Sequence, residues 1–186
     1  QDVHDRYRLD RGGHGTWERV MASIGRCRAQ DTQFNILVLV NDVNVEQPDR
    51  LWEGTAAAVR GALKKLDCAP DVRGVAVTGF GSDAVPLDSR GNELFPFVSF
   101  YEKATIEQRD EYTKLIGDFE SYSISGICPW YYLTLFRMMW LRKYFPLLFD
   151  KAAVWLNVTD YINYKLCGTA ATDYSEASTT IAFDQT

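Results

Sequence analysis

The chain is poor in the residues that metal and redox chemistry draw on, with two histidines and four cysteines in 186 residues. Cys27, Cys68, Cys128 and Cys167 stand far apart, with no Cys-x-x-Cys and no histidine at ligand spacing, which excludes the common local zinc patterns. They read as buried, reduced thiols of a cytoplasmic protein. Positive charge is not in excess: 20 Lys and Arg face 25 Asp and Glu, for a net charge of -5, and no basic run offsets this locally. That excludes the electrostatic footprint of a nucleic-acid or anionic-membrane binder. Long apolar runs are also missing. Pro129 to Phe149 is broken by Arg137, Arg142, Lys143 and Pro146, whereas a spanning helix needs about 20 nearly uninterrupted apolar residues. The opening Gln1-Asp2-Val3-His4-Asp5-Arg6 is too polar for a secretory signal, and the missing initiator Met points to a truncated start. No internal repeat or low-complexity linker occurs.

What is present suits one compact α/β domain. Hydrophobic residues make up 46% and charged residues 24%, ordinary for a globular chain long enough to bury a core. Trp17, Val20, Met21, Ile24 and Cys27 recur at helical spacing, and Phe34 to Val40 is a short apolar run of the kind buried on both faces of a sheet. A second helix is expected from Pro48 to about Asp67, and a strand over Val72 to Val77 leading into Thr78-Gly79-Phe80-Gly81. Val85 and Leu87, the turn Asp88 to Asn92 and the extended Leu94 to Phe100 predict a hairpin. A charged helix over Thr105 to Leu115, a loop, an aromatic helix over Tyr131 to Tyr144, a strand over Ala153 to Leu156 and a helix over Asp160 to Leu166 capped by Gly168 complete the reading. His4 and His14 lie in the glycine-bearing opening without a partner carboxylate pattern and read as solvated loop residues.

The run Val158 to Gly168, followed by Thr172-Asp173-Tyr174-Ser175-Glu176-Ala177-Ser178 and Phe183-Asp184, resembles the FGGY family of carbohydrate kinases. Trp52 to Leu63, Val75 to Gly79, Leu87 to Leu94, Ser125-Gly126 and Trp140-Leu141-Arg142 fit the same family in the same order. The resemblance covers about residues 44–186 and implies an incomplete ribonuclease-H-like (actin-like) sugar-binding domain. In complete members a second such domain binds ATP, and phosphoryl transfer needs a carboxylate base and Mg2+ on the phosphates. The resemblance places the catalytic aspartate and nucleotide domain downstream of Thr186, and no Asp-x-Gly-Thr phosphate loop occurs in residues 1–43. ATP and Mg2+ are thus implied for the complete family and not for this chain alone, and no catalytic or metal-ligating residue is assigned.

By the same resemblance, Phe80-Gly81-Ser82-Asp83 stands where relatives contact sugar and is similar to the Phe-Gly-Val-Asp of deoxysugar kinases. Ser82 and Asp83 are therefore candidate substrate contacts. Asp83 reads equally as the cap of a turn beside Gly81. Relatives carry Trp-x-Asp-x-Arg where this chain has Phe100-Tyr101-Glu102-Lys103-Ala104. Phe100 and Glu102 join the candidates, and the missing Arg bears on substrate and activity. Arg137, near the family's Lys ahead of the Trp-Leu pair, reads as a helix-surface charge.

Residues 1–43 resemble another family. His4-Asp5-Arg6-Tyr7-Arg8, Gly12 to Met21 and Phe34 to Asn41 are similar to an interior helix and strand of a radical SAM sulfatase-maturating enzyme, with Arg8 where that family has an arginine near the SAM carboxylate. Its Cys-x-x-x-Cys-x-x-Cys cluster motif is absent, which excludes radical chemistry by this chain. The expected organisation is a foreign helix-strand unit at the N-terminus joined near Asn44 to Leu51 to a partial kinase domain. Function is expected to be the sugar-binding half of an ATP-dependent carbohydrate kinase, with a small sugar or polyol as partner. The alternatives are a non-catalytic or vestigial sugar-binding domain, or a fusion product without selected function.

Overall fold

The computed structural model describes residues 10–30, 48–64, 74–97 and 103–186. The chain divides into two compact units, Gln1–Leu37 and Val38–Thr186. In the first, Asp10 Oδ1 accepts hydrogen bonds from the backbone N–H groups of Gly12 and His14 at 2.8 and 3.0 Å. That turn leads into helix α1, Trp17–Ala29, as its apolar spacing predicts. The His14 side chain is exposed. His4, the expected strand Phe34 to Val40 and its pairing with Val72 to Val77 lie outside the described residues.

The second unit begins with α2, Pro48–Lys64, whose first-turn proline has the preset φ a helix start favours and whose Leu51 is buried. Strands β1, Ala84–Leu87, and β2, Val154–Asn157, pair antiparallel in the register Ala84 with Asn157 through Leu87 with Val154. All four β1 residues are buried. Between the strands lie α3, Ile106–Ile116, α4, Asp118–Ser125, α5, Thr134–Tyr144, and α6, Pro146–Phe149. After β2 come α7, Val158–Cys167, and α8, Tyr174–Ser178. Val85, Leu87, Phe97, Leu156, Val158, Tyr161 and Ile162 join Leu51 in one core, while Leu133, Phe136 and Ile181 form another.

Pro86 sits inside β1 without breaking the ladder. Its carbonyl accepts from Leu94 N–H on the hairpin side, while the neighbouring Leu87 carbonyl accepts from Ala153 N–H on the β2 side. Because a residue's N–H and C=O point the same way in an antiparallel strand, the missing donor falls on the side β2 does not use. The hairpin forms at Asp88 to Asn92, and its returning arm contributes a single bridge, Leu87 with Glu93. Pro96 has no N–H to extend that pairing.

Four expectations need correction. Gly74 to Val77, the described part of the expected strand, carries no strand geometry and pairs with no described residue, and Val75 is exposed. The segment after Leu115 is not a loop but α4, set off by Gly117 at φ 90° and ended by Gly126 in the left-handed region at φ 69°. A glycine at each end punctuates a helix that has too few residues to show a period. The aromatic helix starts at Thr134 and not Tyr131, because Leu133 is still extended. Cys128 and Cys167 are exposed free thiols, not buried ones. One lies in the α4–α5 loop and the other at the end of α7, beyond its buried first turns.

Candidate functional site

The turn Gly79 to Asp83 enters β1 and is held from three sides. Ser82 N–H donates to Thr179 Oγ1 at 3.0 Å, and Ser82 Oγ donates to the Thr179 carbonyl at 3.1 Å. Thr134 Oγ1, at the start of α5, donates to the Ser82 carbonyl at 2.9 Å. Asn157, at the end of β2, uses its Nδ2 to reach Glu176 on α8 at 3.2 Å. Strand end, helix start and the Thr179 to Ile181 strap therefore meet around one serine.

That serine is strained. Ser82 has φ 75°, in the left-handed region that costs a non-glycine residue roughly 1–3 kcal/mol. Its bonds to Thr179 offset the strain. Gly81 is required here for a different reason: a Cβ at that position would stand 2.4 Å from Thr179 Cγ2. The group that approaches Gly81 is the strap's own threonine.

Asp83 is buried, at 1% exposure, and so is Arg137 on α5, at 3%. Asp83 Oδ1 stands 2.5 Å from Arg137 Nη1. The other members of the two groups, Asp83 Oδ2 and Arg137 Nη2, have no hydrogen-bond partner among the described residues. Burial pushes the Asp83 carboxyl up, against the pull of the Arg137 guanidinium; burial likewise lowers Arg137, against the pull of Asp83. An arginine keeps its proton in proteins, so Asp83 faces a buried positive charge across this contact.

This overturns the reading of Arg137 as a surface charge. The signal that would have found it is its position: Arg137 is four residues from both Leu133 and Leu141, on the buried stripe of α5. Asp83 in turn serves as an ion-pair partner in the structure. Phe100 and Glu102 lie outside the described residues.

Beside the strap, Asp160, Asp173 and Glu176 gather at the start of α7 and on α8. Burial raises Asp160 and Glu176, and the neighbouring carboxylates raise both further. A carboxyl raised in the folded state stabilises the fold below its unfolded pKa, and that contribution is lost as pH rises through the folded value. Glu176→Gln keeps an acceptor for Asn157 and removes the charge. Thermal melts are expected to show this variant matching the parent below the ordinary Glu value of 4.5 and melting higher than the parent above the raised value.

None of these acidic groups makes a metal site: among the described residues no set of three or more His, Cys, Asp or Glu side chains could hold an ion. No described helix is long and apolar enough to cross a membrane.

The sequence model described as the FGGY family of carbohydrate kinases, N-terminal domain, matches residues 8–186. The chain belongs to that family. Its match begins at residue 8 and so extends into the segment 1–43 expected to be a foreign unit. The FGGY chain is 34% identical over 113 residues to L-fuculokinase of Escherichia coli (strain K12), covering 61% of this chain and 24% of that protein. It is 26% identical over 142 residues to glycerol kinase of Thermococcus gammatolerans, covering 74% of this chain and 29% of the relative.

Among solved structures, ligand-bound xylulose kinase from Lactobacillus acidophilus superposes with a TM-score of 0.69 at 15% identity, covering 82% of this chain and 31% of that one. Xylulose kinase from Rhodospirillum rubrum gives 0.69 at 24%, covering 75% and 29%. The FGGY chain thus shares the α/β fold of these sugar kinases, the ribonuclease-H-like, actin-like ATPase fold. It spans about a quarter to a third of their length.

Proposed function

We propose that this chain is the sugar-binding half of an ATP-dependent carbohydrate kinase, with L-fuculose, the sugar in the name of the 34% identical relative, as first candidate. The observation that carries the reading is the strained Ser82 turn, clamped by α5, the strap and the Asp83–Arg137 pair in a chain of this family. Strain at a buried polar turn is characteristic of ligand clamps. Ser82 and Asp83 are proposed contacts, with Asp83 Oδ2 available to accept a sugar hydroxyl once the turn opens from under Thr179. Phe100 and Glu102 are proposed to complete the site by stacking and by accepting a second hydroxyl. Transfer of the ATP γ-phosphoryl group is assigned to the longer protein that the relatives represent, where the ATP and Mg2+ of the family act.

Melting the chain with a panel of L-fuculose, D-xylulose and glycerol tests this. One ligand at about a hundred times its dissociation constant is expected to stabilise the fold by about 2.7 kcal/mol. No sugar-dependent ATP turnover is expected from the chain alone; measurable turnover would refute the assignment of a binding half.

A second reading takes residues 1–43 as a foreign unit and the chain as a fusion without selected function. Its support is the division into compact units after Leu37; the family match from residue 8 weighs against it. It predicts separate melting of the two units and no sugar effect on either.

A further inference from the structure

We propose that the strap is an autoinhibitory latch on the sugar site proposed for the Ser82 turn, a reading on which it rests: Thr179 holds the place that a sugar hydroxyl takes, and the ligand must displace it. Threonine carries a secondary alcohol, the same group that a sugar or polyol presents. Thr179 Oγ1 accepts the Ser82 N–H at 3.0 Å and donates to the Glu176 carbonyl at 2.8 Å, while the Thr179 carbonyl accepts from Ser82 Oγ at 3.1 Å. Both donors of Ser82 are thus taken by one residue of the chain itself.

The backbone marks where the latch turns. Among the described residues, Ser82 and Ile181 are the only non-glycine residues with positive φ, at 75° and 61°. They bracket one contact: Ser82 lies under Thr179, and Ile181 ends the strap. For a β-branched residue such a φ is an outlier, and strain of this kind persists only where the surrounding structure enforces it. The Ile181 side chain is buried with Leu133 and Phe136, so rotation about its N–Cα bond swings Thr180 and Thr179 while the side chain keeps its place. On the other side of the strap, α8 buries none of its residues. Besides the two Ser82 bonds, Leu135 N–H donates to the Thr180 carbonyl and Asn157 Nδ2 to the Glu176 carbonyl, each at 3.2 Å. These bonds are set against two strained residues, so the contact opens locally, short of global unfolding.

Amide hydrogen exchange and calorimetric titration of the full chain, without ligand and with L-fuculose, D-xylulose or glycerol, test the latch. Thr179→Val keeps the side-chain shape and removes the hydroxyl; Thr179→Ser restores it. Without ligand, the Ser82 and Leu135 amides of the parent are expected to exchange together and faster than the Ala153 amide, which donates to the Leu87 carbonyl in the ladder. In Thr179→Val both should exchange about fivefold faster still, on the order of one lost hydrogen bond. The sugar that binds is expected to free the Leu135 amide while protecting Ser82, and to bind Thr179→Val about fivefold more tightly than the parent or Thr179→Ser. Ser82 and Leu135 exchanging only at the rate of Ala153 overturns the latch, whether or not a sugar binds. So does a sugar that binds Thr179→Val no more tightly than the parent. Absence of binding to every protein of the series refutes the sugar site instead, and the ligand-free exchange of the parent still decides the latch.

Discussion

Arg137→Met is expected to destabilise the fold by about 3–5 kcal/mol, because it leaves Asp83 as an unpaired carboxylate in the interior. The loss comes mainly from the charge left behind. Asp83→Asn combined with Arg137→Met should therefore recover most of it, since a buried ion pair replaced by neutral groups is often close to neutral in stability. Single and double variants compared by urea denaturation measure the difference directly. The effect also has a pH signature. Burial already holds the Asp83 carboxyl above its ordinary value of 3.8, and removing the guanidinium leaves that burial unopposed. With the folded-state pKa raised, the folded protein takes up the proton more readily than the unfolded chain. The penalty of Arg137→Met is thus fully present above the variant's further-raised value and shrinks as pH falls through it toward the parent's own raised value.

Phe136→Ala supplies the contrast. Phe136 is fully buried, packs with Leu133 and Ile181, and meets Tyr112 edge-on at 5.3 Å between ring centroids. Its truncation is expected to cost about 3–5 kcal/mol in lost burial and residual cavity. No titratable group is uncovered by design, so this loss should stay flat over the pH range in which that of Arg137→Met declines. Both residues sit on α5 and adjoin one another in sequence, so a common disturbance of the helix would give both variants the same pH profile. Parallel profiles would contradict the assignment of the pH dependence to Asp83.

Much of this was legible in the residues. Helical spacing and the Pro48 start signal found α1 and α2, the expected helices over Thr105 to Leu115 and Asp160 to Leu166 match α3 and α7 to within a few positions, and Gly168, at φ 75°, closes α7 as its place after Leu166 suggested. The strand Val154–Asn157 also stands one residue from its expected place. Short elements escaped: α4 and α8 have eight and five residues, below the length at which a period shows, and are defined instead by Gly117, Gly126 and the Asp173 cap, whose carboxylate accepts Glu176 N–H at 2.9 Å. The site was legible only in part. Ser82 and Asp83 were picked out by family resemblance. What holds them was not, because Thr179 lies 97 residues from Ser82 in sequence and Arg137 is a charge on an apolar stripe. Composition assigns such a charge to the surface; only the position of Asp83 across the fold explains its burial.

The central claim is that the Ser82–Asp83 turn belongs to a sugar site. Isothermal titration of the chain with L-fuculose, D-xylulose and glycerol, run beside Arg137→Met and the stability-compensated double variant Asp83→Asn, Arg137→Met, tests it most directly. The expected result is saturable one-to-one binding of one of these ligands, weakened at least tenfold (~10×) in the double variant relative to Arg137→Met, in keeping with the loss of a charged acceptor. Absence of saturable binding to any of them, or equal affinity in the two variants, would contradict the account.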